Sequence, residues 1–529
     1  MRRPIAGSGA AGREDGARGR VVWIRRGRLI DPTTGLDGEG DLVLAGGRIA
    51  YAGPPLQALP APWGTGTPGT ATAPDASHGA VAPPGSTGAD TPAGAIPAAR
   101  PAAASAASPG TAGETPAAAG PHGLQLPATA RPGPGDPVEI IDARGLWVVP
   151  GLIDAHVHLR TPGETHKETL ATGGAAAAAG GFTAVVCMPN TRPPLDDAVR
   201  VEWLRMKAEQ ASPVRVYVAA AATRDLAGRE PAPYAALKAA GAVAVTDDGR
   251  PIASAGVMRR VLENASAYGL PVLVHAEEPE LSAGGAMHDG PVASAAGMPG
   301  IPDTAEAVMV ARDVLLAERA GARLHVLHVS AESTASVIRW AKARGIAVTA
   351  EVTPHHLLLC DEDVAAAGFH PHWKMNPPLR SARDREALLE AVLDGTIDLI
   401  ATDHAPHHPL DKDVPFPEAA FGVVGLETAL ALLLDALVPD PIPPARLVEL
   451  MSCRPARVFG LPGGTLRPGA PADVTLIDPG RSWVIDPGAF HSLGKNTPFA
   501  GWRVRGRVVR TLVGGQTVFS VAATGARSV

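Results

Sequence analysis

The feature that most restricts the fold is a regular alternation of short apolar segments with helix-like segments, which begins at residue 146. Each apolar segment is long enough for one buried strand, and each intervening segment is long enough for one helix. Parallel strands need crossover connections, so eight strands alternating with helices predict a parallel (β/α)8 barrel. The predicted strands lie within LWVVPGLIDAHVH, FTAVVCMPN, VRVYVAAA, AVAVTDDG, PVLVHAEE, RLHVLHVS, IAVTAEVTPHH and IDLIATDHAP.

Short alternating segments at the two ends of the chain predict a second, smaller domain. VVWIRRGRLID and DLVLAGGRIAYAG lie near the N-terminus, and PADVTLIDP and WRVRGRVVRTLVGGQTVFS lie near the C-terminus. Turn residues punctuate these segments, as they do between antiparallel strands. We therefore predict a small β-sandwich domain made of residues 21–53, 137–147 and 461–529. The barrel, predicted for residues 148–460, is then inserted between the two halves of this domain.

A long segment of low complexity interrupts the first half of the small domain. Residues 54–136 consist almost entirely of Ala, Pro, Gly, Thr and Ser. Such a composition cannot bury enough apolar surface to offset its ordering entropy, so we predict a disordered insertion. Loop-closure cost grows by only about 0.6 kcal/mol per doubling of length, so the sheet can tolerate it. We predict that residues 1–20 form a disordered tail. Their arginines are not followed by the apolar core that a signal peptide has.

Composition excludes several classes of function. A net charge of −6 gives no basic footprint for nucleic acid. No apolar run has the length that a membrane span needs. The three cysteines, Cys187, Cys360 and Cys453, show no pairing pattern and indicate free thiols in a reducing compartment. We therefore expect a cytoplasmic protein that acts on a small molecule.

The first predicted barrel strand ends in two histidines separated by one residue. Side chains at i and i+2 of a strand point to the same face, so His156 and His158 form half of a preorganised metal site. An isolated pair of this kind is more often satisfied by hydrogen bonds within a core. The remaining strands decide between these two interpretations.

Further residues with metal-binding side chains follow four other predicted strands. The carboxyl ends of barrel strands share one rim, and strands eight and one are neighbours in a closed barrel. Ligands from strands eight and one can therefore surround one ion, and histidines from strands five and six can hold another. A carboxylate from strand four can bridge the two. The candidates are His156 and His158, Asp247 or Asp248, His275, His328 and Asp403, with His404 and His407 next to the last.

A pair of cations held in this way predicts hydrolysis of an amide-like C–N bond, or the reverse reaction. Two divalent ions lower the pKa of a shared water to about 7 and polarise a carbonyl group. Asp403 is the candidate general acid and base, because it can touch both a metal and the substrate. For each single residue the structural alternative is a buried, hydrogen-bonded polar side chain.

Other polar residues at the predicted rim indicate the kind of substrate. Arg160 lies two residues beyond His158 on the same face, and arginine binds carboxylates through two hydrogen bonds. Asn190, Asn376 and His407 add amide and imidazole groups, so an anionic, planar, amide-bearing substrate is expected. The structural alternatives are a surface charge for Arg160 and a turn residue for Asn190.

Four further residues of ligand type are interpreted as structural. His355 and His356 follow strand seven, but the predicted site is already filled without them. Cys187 and Cys360 lie within apolar runs, which is typical of packing residues.

Several motifs, in order and in context, resemble the bacterial class I dihydroorotases of the amidohydrolase superfamily. The likeness extends over residues 137–529 and the short strands of 21–53. It implies an amidohydrolase-type TIM-like barrel and zinc-dependent, reversible cyclisation of N-carbamoyl-L-aspartate to L-dihydroorotate in de novo pyrimidine (UMP) synthesis. The motifs are PGLIDAHVHLRTPG, MPNTRP, VTDDG, EVTPHHLLLCDED, KMNPPLR, IDLIATDHAPH, FGVVGLET and KNTPF.

The resemblance also implies a role for each residue of the site. It implies two zinc ions per subunit, a bridging carboxylate at Asp248 rather than Asp247, and Asp403 as both ligand and acid/base. The implied ligands are His156, His158, Asp248 and Asp403 for one zinc, and Asp248, His275 and His328 for the other. The implied substrate contacts are His158, Arg160, Asn190, Asn376, His407 and the backbone at Phe421 and Gly422.

Two departures from the family pattern and three alternatives accompany the resemblance. Thr161 stands where the family usually has glutamate, and the insertion at 54–136 has no counterpart. Many superfamily members bridge their metals with a carboxylated lysine. Strand four here ends in Asp-Asp-Gly, which argues against allantoinase and dihydropyrimidinase. Inactive scaffold partners of aspartate transcarbamoylase typically lose metal ligands, whereas every expected ligand is present. The resemblance leaves open whether the chain forms a homo-oligomer or a complex with aspartate transcarbamoylase.

Overall fold

The structure, a computed structural model, describes residues 20–59 and 137–521. Of the predicted tail it includes only residue 20, and of the predicted insertion only residues 54–59. Residues 522–529 also lie outside the described part. The two predictions of disorder therefore stay predictions.

The strands of the described residues belong to two large sheets and one short pair. They are β1 Val21–Asp31, β2 Leu36–Ala45, β3 Arg48–Gly53, β4 Val138–Asp142, β5 Trp147–Pro150, β6 Leu152–Val157, β7 Phe182–Cys187, β8 Arg215–Ala221, β9 Ala242–Thr246, β10 Val272–Val274, β11 Met287–His288, β12 Gly300–Ile301, β13 Leu324–Val326, β14 Val348–Val352, β15 Leu399–Ile400, β16 Val474–Val484, β17 Arg503–Val513 and β18 Gln516–Ser520.

An eight-stranded parallel sheet forms the barrel. Its strand order is β6-β7-β8-β9-β10-β13-β14-β15, so each strand pairs with the next barrel strand along the chain. The barrel closes between its last and first strands, where Val157 and His404 form a parallel bridge and His158 N donates to His404 O at 2.9 Å. Each of the eight predicted apolar segments contains one of these strands, which confirms the barrel prediction.

Helices connect the barrel strands and cover the outside of the barrel. Several begin at a residue whose side chain accepts a hydrogen bond from the first turn, such as Asp197, Ser254 and Ser381. The α-helices of the described residues are α1 Leu170–Ala179, α2 Ala198–Ala211, α3 Tyr234–Ala239, α4 Ala255–Ala267, α5 Pro279–Ser282, α6 Pro291–Ala296, α7 Thr304–Ala320, α8 Glu332–Ala343, α9 Pro354–Leu358, α10 Asp361–Ala366, α11 Ala382–Leu393, α12 Pro409–Lys412, α13 Ala429–Leu437, α14 Pro444–Val448 and α15 Arg454–Phe459.

Strands from both ends of the chain build the second sheet. Its order is β18-β17-β16-β5-β1-β2-β3, with β4 also paired to β1. Side chains from distant parts of this sheet, including Val22, Leu42, Val148, Val474 and Leu512, share one apolar core. The prediction of a small β structure made from the N- and C-terminal segments is confirmed.

The first predicted barrel run forms two strands rather than one. Trp147–Pro150 pairs with β16 in the terminal sheet, and Leu152–Val157 begins the barrel. Gly151 joins them at a close contact, because a Cβ at this position would lie 2.1 Å from Thr183 Oγ1. The sheet and the barrel thus meet at a position where only glycine fits.

Two further observations concern the cysteines and the apolar character of the helices. Cys187, Cys360 and Cys453 are free and buried. Within residues 20–59 and 137–521, no helix has both the length and the apolar character needed to cross a membrane.

Candidate metal centre

The carboxyl ends of five barrel strands bring together the residues predicted as metal ligands. His156 lies in β6 and His158 directly follows it, and strand alternation places both imidazoles on the inner side of the rim. The other four residues reach the same rim from their own strands, and all six side chains are buried. Asp248 follows β9, His275 follows β10, His328 follows β13 and Asp403 follows β15.

The backbone at this rim adopts unusual conformations. Arg160, His328 and Asp403 have φ values of 53°, 31° and 49°. Left-handed backbone at non-glycine residues costs of the order of 1–3 kcal/mol and concentrates at functional sites. The concentration of such residues next to the buried histidines supports a functional role for this rim.

The donor atoms of His156, His158 and Asp248 form one compact group, and Asp403 lies beside its two histidines. Asp403 Oδ1 lies 3.0 Å from His158 Nε2 and 3.4 Å from His156 Nε2. Asp248 Oδ2 lies 3.6 Å from both of these nitrogens. Donors around one tetrahedral zinc ion, each about 2 Å from the metal, are roughly 3.3 Å apart. The spacing of this group therefore fits a metal ion.

A second group shares the same carboxylate. Asp248 Oδ1 lies 3.8 Å from His275 Nδ1 and 3.9 Å from His328 Nε2, and these two nitrogens are 2.9 Å apart. The two oxygens of Asp248 thus face two different pairs of histidines. This is the arrangement expected of a carboxylate that bridges two cations.

The structure distinguishes the two aspartates of strand four. Asp247 turns away from the histidines and accepts hydrogen bonds from the backbone N–H, at 2.8 Å, and the hydroxyl of Thr223. Burial raises the pKa of Asp247 to about 6. Only Asp248 contributes to the two donor groups.

The electrostatics of the centre favour positive charge. Burial lowers the pKa of His156, but the negative charges of Asp248, Asp403 and Glu351 outweigh burial and hold that pKa well above its usual range. Burial alone raises the pKa of Asp248, yet the neighbouring histidines, His156 first, hold it well below its usual range. His156 Nε2 is buried without a hydrogen-bond partner. A buried, unpartnered nitrogen facing two carboxylates fits a bound cation.

Two glutamates that the sequence analysis did not select contact the second ring nitrogens of His156 and His275. Glu351 Oε1 lies 2.7 Å from His156 Nδ1, and Glu277 Oε2 lies 3.0 Å from His275 Nε2. A carboxylate on the second nitrogen of a ligating histidine fixes its tautomer and orientation. The sequence contains one sign of each role. Glu351 is a charged residue inside the otherwise apolar strand IAVTAEV, and Glu277 lies two residues beyond the candidate ligand His275.

The predicted substrate residues on the strand-one side lie beside the centre. Asn190 Oδ1 lies 2.9 Å from His158 Nδ1, and Asn190 Nδ2 donates to Asp248 Oδ2 at 3.2 Å. Arg160 Nε donates to the carbonyl oxygen of Pro406 at 3.2 Å. In the part of the chain that the structure describes, no carboxylate lies within ion-pair distance of Arg160. Its guanidinium group is therefore available to an anion.

The predicted substrate residues on the strand-eight side form a connected group. His407 Nε2 donates to the carbonyl oxygen of Phe421 at 2.7 Å. Gly422 N donates to Lys374 O at 3.0 Å, and Gly422 O accepts from Asn496 Nδ2 at 3.0 Å. Burial and nearby positive charges, chiefly that of Arg160, lower the pKa of His407. The protein itself thus engages several polar backbone groups of Phe421 and Gly422.

Three other histidines of the rim segments have structural partners or neighbours. His404 Nε2 lies 3.2 Å from Glu168 Oε2, and His404 Nδ1 accepts from Gly425 N. His356 donates to Pro377 O at 3.0 Å, and the rings of His355 and His356 lie 4.6 Å apart. None of the three joins the donor groups formed by the described residues.

Comparison with known proteins identifies relatives over most of the described chain. A family model described as Dihydro-orotase-like matches residues 145–334. A dihydroorotase of Anaeromyxobacter dehalogenans is 53% identical over 378 residues, which are 72% of this chain and 87% of the relative. Dihydroorotases of Bacillus caldolyticus and Syntrophus aciditrophicus are 51% and 48% identical, and each match covers 72% of this chain and 89% of the relative.

Solved structures with the same fold include proteins named as hydantoinases and dihydropyrimidinases. An L-hydantoinase (dihydropyrimidinase) from Arthrobacter aurescens superposes with a TM-score of 0.73 at 25% identity, over 94% of this chain and 96% of that chain. A dihydropyrimidinase from Brevibacillus agri superposes with a TM-score of 0.70 at 21% identity, over 94% and 95% of the two chains. The second likeness bears on the fold alone.

Proposed function

The chain belongs to the dihydroorotase family, and from this premise we propose that it interconverts N-carbamoyl-L-aspartate and L-dihydroorotate in pyrimidine synthesis. The chain is an enzyme of the cyclic amidohydrolase type. The observation that carries the proposal is the bridging position of Asp248, whose two oxygens face two groups of buried histidines. A scaffold without activity has no need of such a centre.

We propose that two zinc ions occupy the centre. His156, His158, Asp248 and Asp403 hold one, and Asp248, His275 and His328 hold the other. When bound, the ions supply positive charge that polarises the amide carbonyl and makes water acidic near neutral pH. The donor spacings and the unpartnered His156 Nε2 support this assignment.

Asp403 carries the proton in this proposal. In the hydrolytic direction water adds to the ring carbonyl, the C–N bond breaks, and the proton lost by the water moves to the departing nitrogen. Asp403 Oδ1 lies next to His156 and His158, and 10% of the side chain is exposed. It can therefore accept the proton at one step and donate it at the next, as a general base and then a general acid.

The remaining rim residues orient the substrate. We assign the substrate carboxylate to Arg160, whose guanidinium lacks a described carboxylate partner. We assign further substrate contacts to Asn190 and His158, which contact each other, to Asn376 beside His275, and to His407 with the backbone of Phe421 and Gly422. A neutral His407 donates its one N–H, on Nε2, to Phe421 O, and its Nδ1, which has no hydrogen-bond partner among the described residues, is left as an acceptor for a substrate N–H, in agreement with its lowered pKa.

We further propose the division of the chain into a terminal β domain, at 21–53, 137–147 and 461–529, and a barrel domain at 148–460. The pairing of β16 with β5 supports one continuous terminal sheet. We place the enzyme in the cytoplasm, with a small molecule as its substrate. The buried free thiols support a reducing compartment.

The deciding experiment is a direct assay of the purified full chain with L-dihydroorotate and N-carbamoyl-L-aspartate. Metal content is measured by elemental analysis on the same sample. We expect turnover in both directions, about two zinc ions per chain, and loss of activity with a strong chelator. Hydantoin, dihydrouracil and allantoin serve as comparison substrates, because the matching solved structures include hydantoinases. Faster turnover of any of these than of dihydroorotate would overturn the proposal.

A further inference from the structure

Glu277 occupies a position between the candidate metal centre and the predicted substrate residues. It lies in the loop that follows β10, two residues beyond His275, and its side chain is 18% exposed. Its Oε2 atom lies 3.0 Å from His275 Nε2 and accepts a hydrogen bond from Asn376 Nδ2 at 2.6 Å. One carboxylate oxygen thus holds a histidine from strand five and an amide from the segment after strand seven.

The contact with His275 determines which nitrogen faces the metals. Because His275 Nε2–H donates to the glutamate, the unprotonated Nδ1 is directed toward His328 Nε2 and Asp248 Oδ1, at 2.9 and 3.8 Å. A carboxylate in this position also makes the imidazole a stronger ligand. Removing the negative charge of Glu277 therefore weakens the second metal position without removing any ligand.

The contact with Asn376 determines the orientation of the amide. With Nδ2 bound by Glu277, Oδ1 is the polar atom that remains for a substrate N–H. No hydrogen bond from the described residues reaches Asn376 Oδ1. The bond to Glu277 is short and charge-assisted, which is the strong kind of hydrogen bond. Loss of Glu277 therefore frees the amide to rotate.

We propose that Glu277 is a positioning residue that couples the metal ligand His275 to the substrate-binding amide of Asn376. Metal affinity and substrate affinity then change together when Glu277 is altered, although Glu277 contacts neither ligand itself. This inference rests on the proposed function, because it assigns His275 to a metal and Asn376 to the substrate.

The experiment compares Glu277→Gln with Glu278→Gln in the full chain. Glu278 is the matched control, since it is the adjacent glutamate and its side chain only accepts a hydrogen bond from Leu281 N at 2.8 Å. Metal affinity is measured by zinc retention against a competing chelator, without substrate. We expect a loss of about 10- to 100-fold for Glu277→Gln. For the control we expect less than about a twofold change.

A kinetic comparison at saturating zinc tests the second half of the inference. We expect KM for dihydroorotate to rise about tenfold in Glu277→Gln and in Asn376→Ala. In the double variant the two effects should not add, because both variants disrupt the same contact. If Glu277→Gln does not fold, Glu277→Asp takes its place. This variant keeps the negative charge on a side chain that is one methylene shorter.

Two results overturn the inference while leaving the proposed function intact. One is an active wild type in which Glu277→Gln matches Glu278→Gln in both zinc retention and KM. The other is additive effects on KM in the double variant. A wild type that neither retains zinc nor turns over dihydroorotate refutes the proposed function instead.

Discussion

Asp403 is the residue of the described rim to which we assign the role of acid/base. Its carboxylate approaches His156 and His158, and its own backbone is left-handed, with a φ of 49°. We expect Asp403→Asn to lower kcat by about 10²- to 10⁴-fold at saturating zinc, because the amide cannot accept the proton. The melting temperature should change little.

Asp394→Asn, at an exposed carboxylate paired with Arg339, is the control and should keep full activity. Unchanged turnover in Asp403→Asn refutes its assignment as acid/base.

Glu351 provides a second test, because it supports the centre without reaching the substrate. It is completely buried, and its oxygens lie 2.7 Å from His156 Nδ1 and 3.1 Å from His325 Nε2. We expect Glu351→Gln to weaken zinc retention by about 10- to 100-fold. Glu427→Gln changes a partly buried glutamate whose side chain, among the described residues, accepts from the backbone N–H groups of His491 and Ser492. Its zinc retention should equal that of the wild type, and equal retention in both variants would contradict the role of Glu351.

At this scale, sequence patterns identified the residues at strand ends but missed those that orient them. His156, His158 and Asp403 could be selected because barrel chemistry lies at the ends of strands. Glu351 lies inside β14, and its partner His156 is far away in the chain. Hydrogen bonds between such distant side chains depend on rotamers and strand register, which apolar periodicity does not encode. The same limit explains why Asp248 could be chosen over Asp247 only through the family resemblance.

Among the elements, the barrel strands could be predicted and the junction with the terminal sheet could not. Residues 146–153 form one continuous apolar run, and continuous hydrophobicity contains no signal for a change of pairing partner. The change occurs at Gly151, whose backbone N–H donates to Asp473 O at 2.9 Å and whose carbonyl oxygen accepts from Ser452 Oγ at 2.7 Å. A glycine inside an apolar run is a weak signal of close backbone approach. Here it marks the boundary between two sheets.

This junction leads to a prediction about stability. A Cβ at residue 151 would lie 2.1 Å from Oγ1 and 2.3 Å from Cγ2 of the buried Thr183. We expect Gly151→Ala to lower the free energy of unfolding by about 1–3 kcal/mol, as overpacking typically does. Urea denaturation measures this loss. Thr183→Ala removes the two closest atoms and leaves only Cβ, at 2.7 Å, so the double variant should lose less than the sum of the two single variants. Strictly additive losses would show that the clash is not the cause.

In the molecule as a whole, the centre exists only when the barrel is closed. Asp403 and His156 belong to the last and first barrel strands, and the bridge between Val157 and His404 joins them. The order of the strands along the chain was enough to predict this neighbourhood, because consecutive βα units place strand eight beside strand one. A metal ion bound at this centre would therefore stabilise the folded barrel, since binding to the native state alone adds to its stability.

This linkage gives the centre a characteristic dependence on pH. In the metal-free protein the pKa of His156 is raised well above 6.5, so the imidazole is protonated near neutral pH and its ion pairs stabilise the fold. That contribution is present at low pH and is lost as the pH rises through the raised pKa. Zinc requires the neutral imidazole, so protons and zinc compete for the same nitrogens. The stabilisation added by zinc must therefore increase with pH.

We accordingly predict that the difference in melting temperature between zinc-loaded and chelator-treated protein grows as the pH rises from about 5.5 toward the raised pKa of His156. Each proton displaced on binding changes zinc affinity by about tenfold per pH unit, or about 1.4 kcal/mol. Scanning calorimetry at fixed free zinc measures the difference at each pH.

His491→Gln, which alters an imidazole outside the two donor groups of the described residues, should leave unchanged the slope of this difference against pH. His156→Gln should reduce the slope, because it removes a nitrogen at which zinc displaces a proton. A difference in melting temperature that does not vary with pH would mean that zinc displaces no proton, and would contradict four histidine ligands.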